Sequence, residues 1–408
     1  MIGSDSHNHN YVAMIRVVGV GGAGGNAVNR MIESGLSGVE FIVVNTDAQV
    51  LAQSEAGVTL QIGRELTKGL GAGSDPSVGR QAALDHEAEI EDVLMGSDMV
   101  FIAAGEGGGT GTGAAPVVAE IAKKAGALTI GVVTKPFSFE GSRRTKQAEE
   151  GIKALRDQVD TLIIIPNDRV IAASTEKTSF VDAFKMVDDV LLQAVQGITD
   201  LITNSGIINT DFADVRRIMS SAGTAIMGVA TASGEDRAIK AMTMATTSHL
   251  LETTMRGAKA VLVNFAGSSQ LTMMEIFNAS ARIEEMADRD AEIIFGAVCD
   301  ESLGDAVKVT VIATGFNDRP TSVPTISAED RDLYAKGSED RGNIKPIPSL
   351  NVDRPASGGT SSQPSYNGSS PKSGIESQNS EDSGGYRSID DDDDDDDPDV
   401  PDFIKRLN

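Results

Sequence analysis

Gly107-Gly-Gly-Thr-Gly-Thr-Gly113 is the stretch from which the fold of this chain is read. An apolar run, Met99-Val-Phe-Ile-Ala-Ala104, precedes it and has the pattern of a strand buried on both faces. Ala114 to Lys123 follows and predicts a helix, with Pro116 near its first turn. Strand, Gly/Thr loop and helix in that order bring free backbone N–H groups and the positive end of a helix dipole to one point, which favours phosphate. Five glycines let the backbone approach an anion with no Cβ in the way, and two threonines add hydroxyl donors. A flexible linker has a similar composition, but linkers rarely join a strand directly to a helix.

The same pattern recurs on either side. Ile15 to Val20 predicts a strand, followed by the loop Gly21-Gly-Ala-Gly-Gly-Asn26 and a helix from Ala27 to Ser34. Val39 to Val44 is the next strand, ending in Asn45-Thr-Asp47, and a Gly-rich loop from Lys68 to Pro76 leads to helices through Met95. Leu128 to Thr134 and Thr161 to Ile165 are further strands, with a helix over 142–158 between them. Near-continuous apolar strands alternating with helices indicate a Rossmann-like α/β domain with a mainly parallel sheet. Ligands in such sheets bind at the carboxyl ends of the strands, where every Gly-rich loop here lies.

Phe180 to Thr203 is amphipathic without an internal breaker and reads as one long central helix, ended by Asn204-Ser-Gly206. A second α/β domain follows. Helices are expected over 212–220, 235–246 and 272–287, and strands over 224–231, 260–265, 291–298 and 307–314. Their partial alternation suits a mixed sheet with helices on one face. The expected division is a leader at 1–13, a nucleotide-binding domain at 14–178, the central helix at 179–205, the second domain at 206–317, an acidic linker at 318–398 and a terminal peptide at 399–408.

Composition narrows the function. A formal net charge of −25 argues against general nucleic-acid binding. The single cysteine, Cys299, excludes an internal disulfide and a cysteine-rich zinc site, and the four histidines show no metal-ligand spacing, so no protein-held metal is expected. The leader lacks the basic and apolar regions of a signal peptide, and no apolar run approaches spanning length, so a cytoplasmic protein without membrane insertion is expected. Residues 318–408 carry 20 acidic against 10 basic side chains and few apolar ones, so 318–398 reads as disordered, with Asp390 to Asp397 self-repelling. In the terminal peptide Val400, Phe403, Ile404 and Leu407 form an apolar stripe at helical spacing, with Pro401 and Asp402 at its start. A short amphipathic helix on a tether has the form of a partner-binding peptide.

Gly19-Val-Gly-Gly-Ala-Gly24 after a strand, with Asp47 further on, also satisfies the dinucleotide fingerprint, so an NAD-dependent oxidoreductase is the alternative. Against it stand the second, longer phosphate loop and a second domain without an evident redox residue beyond the isolated His249 and Cys299. A P-loop NTPase is disfavoured because no GxxxxGK[ST] is present. A nucleoside triphosphate held by two glycine loops fits better.

Gly107 to Gly113 together with Asn209-Thr-Asp-Phe-Ala-Asp214-Val-Arg resembles the FtsZ family of cell-division GTPases, relatives of tubulin. The resemblance runs from about Ile15 to Phe316 and resumes at Val400-Pro-Asp-Phe-Ile-Lys-Arg406. It implies a GTPase that binds GTP or GDP with Mg²⁺ and polymerises with itself head to tail into protofilaments of the septal ring at midcell. Each active site would be completed by the next subunit's acidic loop, with Asn209, Asp211 and Asp214 as its catalytic residues. Gly22, Ala23, Gly24, Gly25 and Asn26, with Gly107, Gly108, Gly109, Thr110, Gly111, Thr112 and Gly113, would wrap the phosphates. Glu140 and Arg144 match positions at the ribose and phosphates, Asn167 and Asp188 match the guanine readers, and Phe184 matches the residue beneath the base. An aspartate at 188 can accept both guanine N1–H and the 2-amino group, which adenine cannot offer. Pro401, Phe403, Ile404 and Leu407 would dock on membrane adaptors of the FtsA, SepF or ZipA type. Three departures stand out: Glu106 where the family has an apolar residue, Gly73-Ser-Asp75 before Pro76, and Ser248-His-Leu250. A carboxylate beside triphosphate is repulsive unless Glu106 points away or helps hold a cation.

Overall fold

Strands buried on both faces order the first half of the molecule. The computed structural model describes residues 13–172, 178–203, 206, 208, 210–248 and 255–316. The chain runs β1 (Ile15–Val20), α1 (Gly21–Glu33), β2 (Glu40–Asn45), α2 (Ala48–Leu51), β3 (Val58–Gln61), α3 (Arg64–Thr67), α4 (Pro76–Leu84) and α5 (Glu87–Leu94). It continues through β4 (Met99–Gly105), α6 (Thr110–Lys124), β5 (Leu128–Lys135), α7 (Ser142–Arg156), β6 (Thr161–Pro166) and α8 (Asn167–Ala172). These strands are parallel, in the order β3-β2-β1-β4-β5-β6. The order reverses between β1 and β4, so the crevice at their carboxyl ends is the place where such sheets bind ligands.

The long helix α9 (Phe180–Thr203) has the bounds its periodicity predicts and buries Val187, Val190, Leu191, Ala194, Val195, Ile198 and Leu201. Beyond it lie α10 (Phe212–Met219), β7 (Gly223–Ser233), α11 (Arg237–Thr246), β8 (Ala260–Gly267), α12 (Met273–Glu284), β9 (Glu292–Cys299) and β10 (Ala306–Thr314). This part is mixed: β10 is antiparallel to both β7 and β8, and β8 is parallel to β9. β7 also pairs with β6 over Thr161–Ile163, which joins all these strands into one sheet. The expected placement of helices needs a correction. α11 and α12 cover one face with Val261, Val263, Phe265, Val307, Val309 and Val311. The opposite face, including Leu262 and Ile312, packs on α9 and on Val215 and Ile218 of α10, so both faces are covered.

Both glycine loops are shorter than predicted. α1 begins at Gly21 rather than Ala27, and α6 at Thr110 rather than Ala114, which places Pro116 inside the helix. Glycine disfavours helix by about 1 kcal/mol per residue, so local propensity reads these turns as loop. Packing overrides it, because a Cβ on Gly24 would stand 2.2 Å from Ala103 O of β4. The short α2, β3 and α3 carried no clear periodic signal. The leader 1–12 and all of 317–408, with the tail peptide, lie outside the described residues.

Candidate active site

Two uncapped helix N-termini meet at the β1/β4 crevice. Neither α1 nor α6 has a side-chain cap or an acidic residue in its first turn. Their unused N–H groups and dipoles are therefore open to an anion. The two turns touch: a Cβ on Gly21 would meet Gly111 N at 2.8 Å, and one on Gly111 would meet Val20 O at 3.4 Å. Gly22 and Gly108 differ, since a Cβ on either would meet nothing within 4 Å. They form the open floor of the cradle, while Gly24, Gly109 and Gly113 are needed by the protein's own packing.

The threonines brace the loops rather than line them. Thr110 Oγ1 and Thr46 Oγ1 are hydrogen-bonded at 2.7 Å, and Gly107 N–H donates to Thr112 Oγ1 at 2.8 Å. Both Thr110 and Thr112 are buried. The groups offered outward are thus mainly backbone N–H. Asp75 caps α4, accepting from Ser77 N, and its backbone presses on Gly109; Ser74 before it adopts a left-handed conformation. Asn26 and Ala23 are exposed on α1 beside the crevice.

The loop after β5 closes the other side. Glu140 Oε1 accepts from Phe137 N at 2.9 Å, and its Oε2 accepts from Arg144 Nη1 at 2.5 Å. Arg144 Nε reaches Gly107 O at 3.4 Å, tying this loop to the phosphate loop. Phe184 of α9 packs edge-on to Phe137 at 5.1 Å and to Phe180 at 5.0 Å, and Phe139 stacks on Phe137 at 5.0 Å. Phe139, Phe180 and Phe184 remain exposed on this cluster. Phe139 and Phe180 join this cluster beyond the residues that the sequence marks; the signal for Phe180 is its place four residues before Phe184 on the same helix face. Asn167 is buried at the start of α8, and its Oδ1 has no hydrogen-bond partner. Burial first, then the charge of Asp189, pushes the Asp188 carboxyl up to about 7, while Arg30 lowers it.

The Glu106 carboxyl faces neither solvent nor the open side of the glycine loops. Its carboxyl is buried without a hydrogen bond of good geometry, and a Cβ on Gly151 of α7 would stand 2.3 Å from its Oε2. Gly151 lies two helical turns beyond Arg144, so the side chain runs into the seam between α6 and α7. Burial pushes it up to about 8, and the nearby Thr112 hydroxyl offsets only part of this. The folded protein therefore holds a proton that the unfolded chain, near 4.5, has released. The associated stability is present in full below the unfolded value and is lost as pH rises through about 8. Glu106→Gln should flatten the decline of the thermal midpoint between pH 6 and 9, as followed by circular dichroism. Glu106→Met should leave the Mg²⁺ dependence of turnover unchanged; a changed dependence would place the carboxyl at the nucleotide.

Asp211 and Asp214 stand elsewhere. Asp211 Oδ1 accepts from Asp214 N at 2.8 Å and caps α10, and Asp214 pairs with Arg217 at 3.3 Å. Arg217 also contacts Glu292. Arg216 donates to Gly126 O, just before β5 begins, so α10 sits at the amino-terminal edge of the parallel sheet. The glycine loops lie at the carboxyl edge. Eight residues of strand, roughly 26 Å, separate the two edges along β5. The chain does not bring these two acids to its own glycine loops. Asn209 lies outside the described residues, as do Pro401, Phe403, Ile404 and Leu407.

Among the described residues no helix is long and apolar enough to cross a membrane, and no three His, Cys, Asp or Glu residues cluster as a metal site. Residues 14–175 match the tubulin/FtsZ family GTPase domain, and 223–317 match the FtsZ family C-terminal domain. The chain is similar to a solved FtsZ dimer from M. jannaschii at 42% identity and a TM-score of 0.73, covering 78% of this chain and 96% of that one. A point mutant of M. jannaschii FtsZ matches at 44% identity and a TM-score of 0.72, covering 74% and 91%. CetZ2 from Haloferax volcanii, solved as a GTPγS-bound protofilament, shares the fold at 20% identity and a TM-score of 0.64, covering 80% and 99%.

Proposed function

This chain belongs to the tubulin/FtsZ family and is an FtsZ-type GTPase, and on that premise we propose that it assembles head to tail into protofilaments whose active sites are shared between subunits. The observation that carries the proposal is the separation of its two chemical halves. The uncapped helix ends lie at one edge of the sheet, and the acidic start of α10 lies at the other. A head-to-tail contact brings one subunit's acids over the next one's phosphates.

In that contact the N–H groups about Gly22 to Asn26 and Gly107 to Gly113 hold the phosphates, and the Glu140–Arg144 pair flanks the ribose. The exposed Phe184 lies under the base. Asp188, as carboxylate, accepts N1–H and the 2-amino group of guanine, and Asn167 supplies the orphaned acceptor beside it. Two hydrogen bonds to a charged group at ~1.5–3 kcal/mol each favour GTP over ATP by roughly two to four orders of magnitude. Asp211 and Asp214, with Asn209, orient and polarise the attacking water of the neighbouring site. Mg²⁺ fits this setting as a cation carried on the nucleotide, since the cradle offers few carboxylates and Mg²⁺ keeps several waters. When bound it neutralises charge on the phosphate oxygens. Hydrolysis weakens the contact that enabled it, which builds disassembly into the polymer. We place this polymer in the cytoplasm, in the ring at the septum, tethered by residues 399–408 to adaptors of the FtsA, SepF or ZipA type.

Light scattering and phosphate release recorded together test this. Both should rise with GTP and Mg²⁺ and stay flat with ATP, and turnover per subunit should climb with protein concentration before levelling off. A chain ending at residue 398 should do the same while losing adaptor binding. Assembly with ATP, or a concentration-independent rate, overturns the shared-site reading.

A further inference from the structure

Asp188 has charged company on its own helix and on α1. Asp189 follows it on α9, and Asp189 Oδ1 accepts from Arg30 Nε of α1 at 2.7 Å. The two side chains are each 37% exposed, and Arg30 Nη1 also reaches Glu33 at 3.4 Å. A cation of α1 and an anion of α9, paired with each other, therefore lie close to a half-buried carboxyl that must be ionised to accept both guanine hydrogens. The other charges on α9 are Asp182, Lys185 and Asp200, and the described elements packed on α9 add Asp168 and Arg169 on α8, Lys135 on β5 and Glu292 on β9. The charges that act on Asp188 are Asp189, which disfavours its ionisation, and Arg30, which favours it.

We propose that the Arg30–Asp189 ion pair tunes the charge of Asp188 and, through it, the affinity for guanine nucleotide near neutral pH. The proposal rests on Asp188 being the guanine reader. Arg30 and Asp189 are positioning residues that act through it. Without nucleotide Asp188, pushed up to about 7, is partly protonated near neutral pH. Nucleotide takes the ionised form, so below that edge affinity falls by up to about tenfold per pH unit.

The two halves of the pair have opposite expected effects. Arg30→Gln removes the favourable charge and leaves Asp189 unpaired, so the edge moves to higher pH. Asp189→Asn removes the unfavourable charge and leaves Arg30 in place, so the edge moves lower. A pair that merely clamps α1 to α9 would be broken alike by both changes and would shift affinity in one direction at every pH.

Calorimetric titration with GDP from pH 6 to 9 reads this without assembly. At pH 6.5 Arg30→Gln should bind several-fold more weakly than the unaltered protein, and Asp189→Asn several-fold more tightly, with all three converging at pH 9. Arg30→Lys keeps the charge and should keep the edge, which also guards against a fold defect in Arg30→Gln. Shifts in the same direction, or none, overturn the proposal. The reading of Asp188 itself is checked separately with inosine diphosphate, which lacks the 2-amino group. The unaltered protein should prefer GDP strongly, and Asp188→Ala should lose that preference. If it keeps the preference, the assignment of Asp188 fails. If it loses it while the two edges move together, only the role of the ion pair fails.

Discussion

Asp214→Asn is expected to keep GTP bound while turnover at full assembly falls by roughly 10²–10⁴, the contribution typical of a group that positions or deprotonates the nucleophile. Asn keeps the shape, and its backbone N–H still donates to Asp211, so the start of α10 survives. Asp211→Ala is less clean, since it also removes the cap, at a cost of about 1 kcal/mol. A mixing experiment decides whether the acids act in trans. Thr110→Arg places a bulky cation where Thr110 is buried against Thr46, and should abolish nucleotide binding. Neither variant alone should release phosphate at an appreciable rate. Mixed, Asp214→Asn subunits supply bound GTP and Thr110→Arg subunits supply an intact acidic loop, so part of the activity returns. No recovery in mixtures that still co-assemble would mean that each acid serves its own chain's nucleotide.

What the sequence displays of the fold follows from where each signal is stored. β4, β5 and β6 are buried on both faces, so their apolar runs are continuous and unambiguous. The bounds of α9 are legible because its stripe has no breaker and its surroundings do not alter it. The starts of α1 and α6 are not, because the glycines there are held in helix by close packing on β4 and, for α6, on α4 as well. The link between β6 and β7 rests on three residue pairs, with nothing in either strand's periodicity to announce it.

The site divides in the same way. Glycines at a strand end point to a phosphate cradle, but which of them are open and which are packed depends on distances to Ala103, Pro76 and Asp75. The orientation of Glu106 depends on Gly151, a residue of another helix that leaves it room. The Arg30–Asp189 contact joins residues 159 positions apart. Local spacing reveals chemistry carried by one turn; it is silent about chemistry assembled between helices.

The division among the glycines yields the second large effect. Gly24→Ala should fail to give a stable fold, because the new Cβ would stand 2.2 Å from Ala103 O and 3.0 Å from the Gly19 carbonyl carbon. Both obstacles are backbone, so relief requires α1 to lift off β4, against which it packs. Gly113→Ala meets Pro76 O at 2.0 Å and should behave likewise. Gly22→Ala and Gly108→Ala meet nothing within 4 Å, and neither glycine has a positive φ. Inside α1, replacing Gly22 by Ala should even raise the thermal midpoint of the nucleotide-free protein, since Ala favours helix by up to about 1 kcal/mol. The same methyl group points into the space assigned to phosphate. It keeps the anion from the N–H groups of the first turn, and losing two charge-assisted hydrogen bonds of ~1.5 kcal/mol each weakens GDP roughly a hundredfold. Stability and affinity then move in opposite directions, a pairing that general misfolding does not produce. Calorimetric unfolding without nucleotide and GDP titration on the same sample read both quantities. If Gly22→Ala and Gly108→Ala bind GDP like the unaltered protein, the phosphates do not lie on this face, and the cradle between α1 and α6 has been assigned to the wrong ligand.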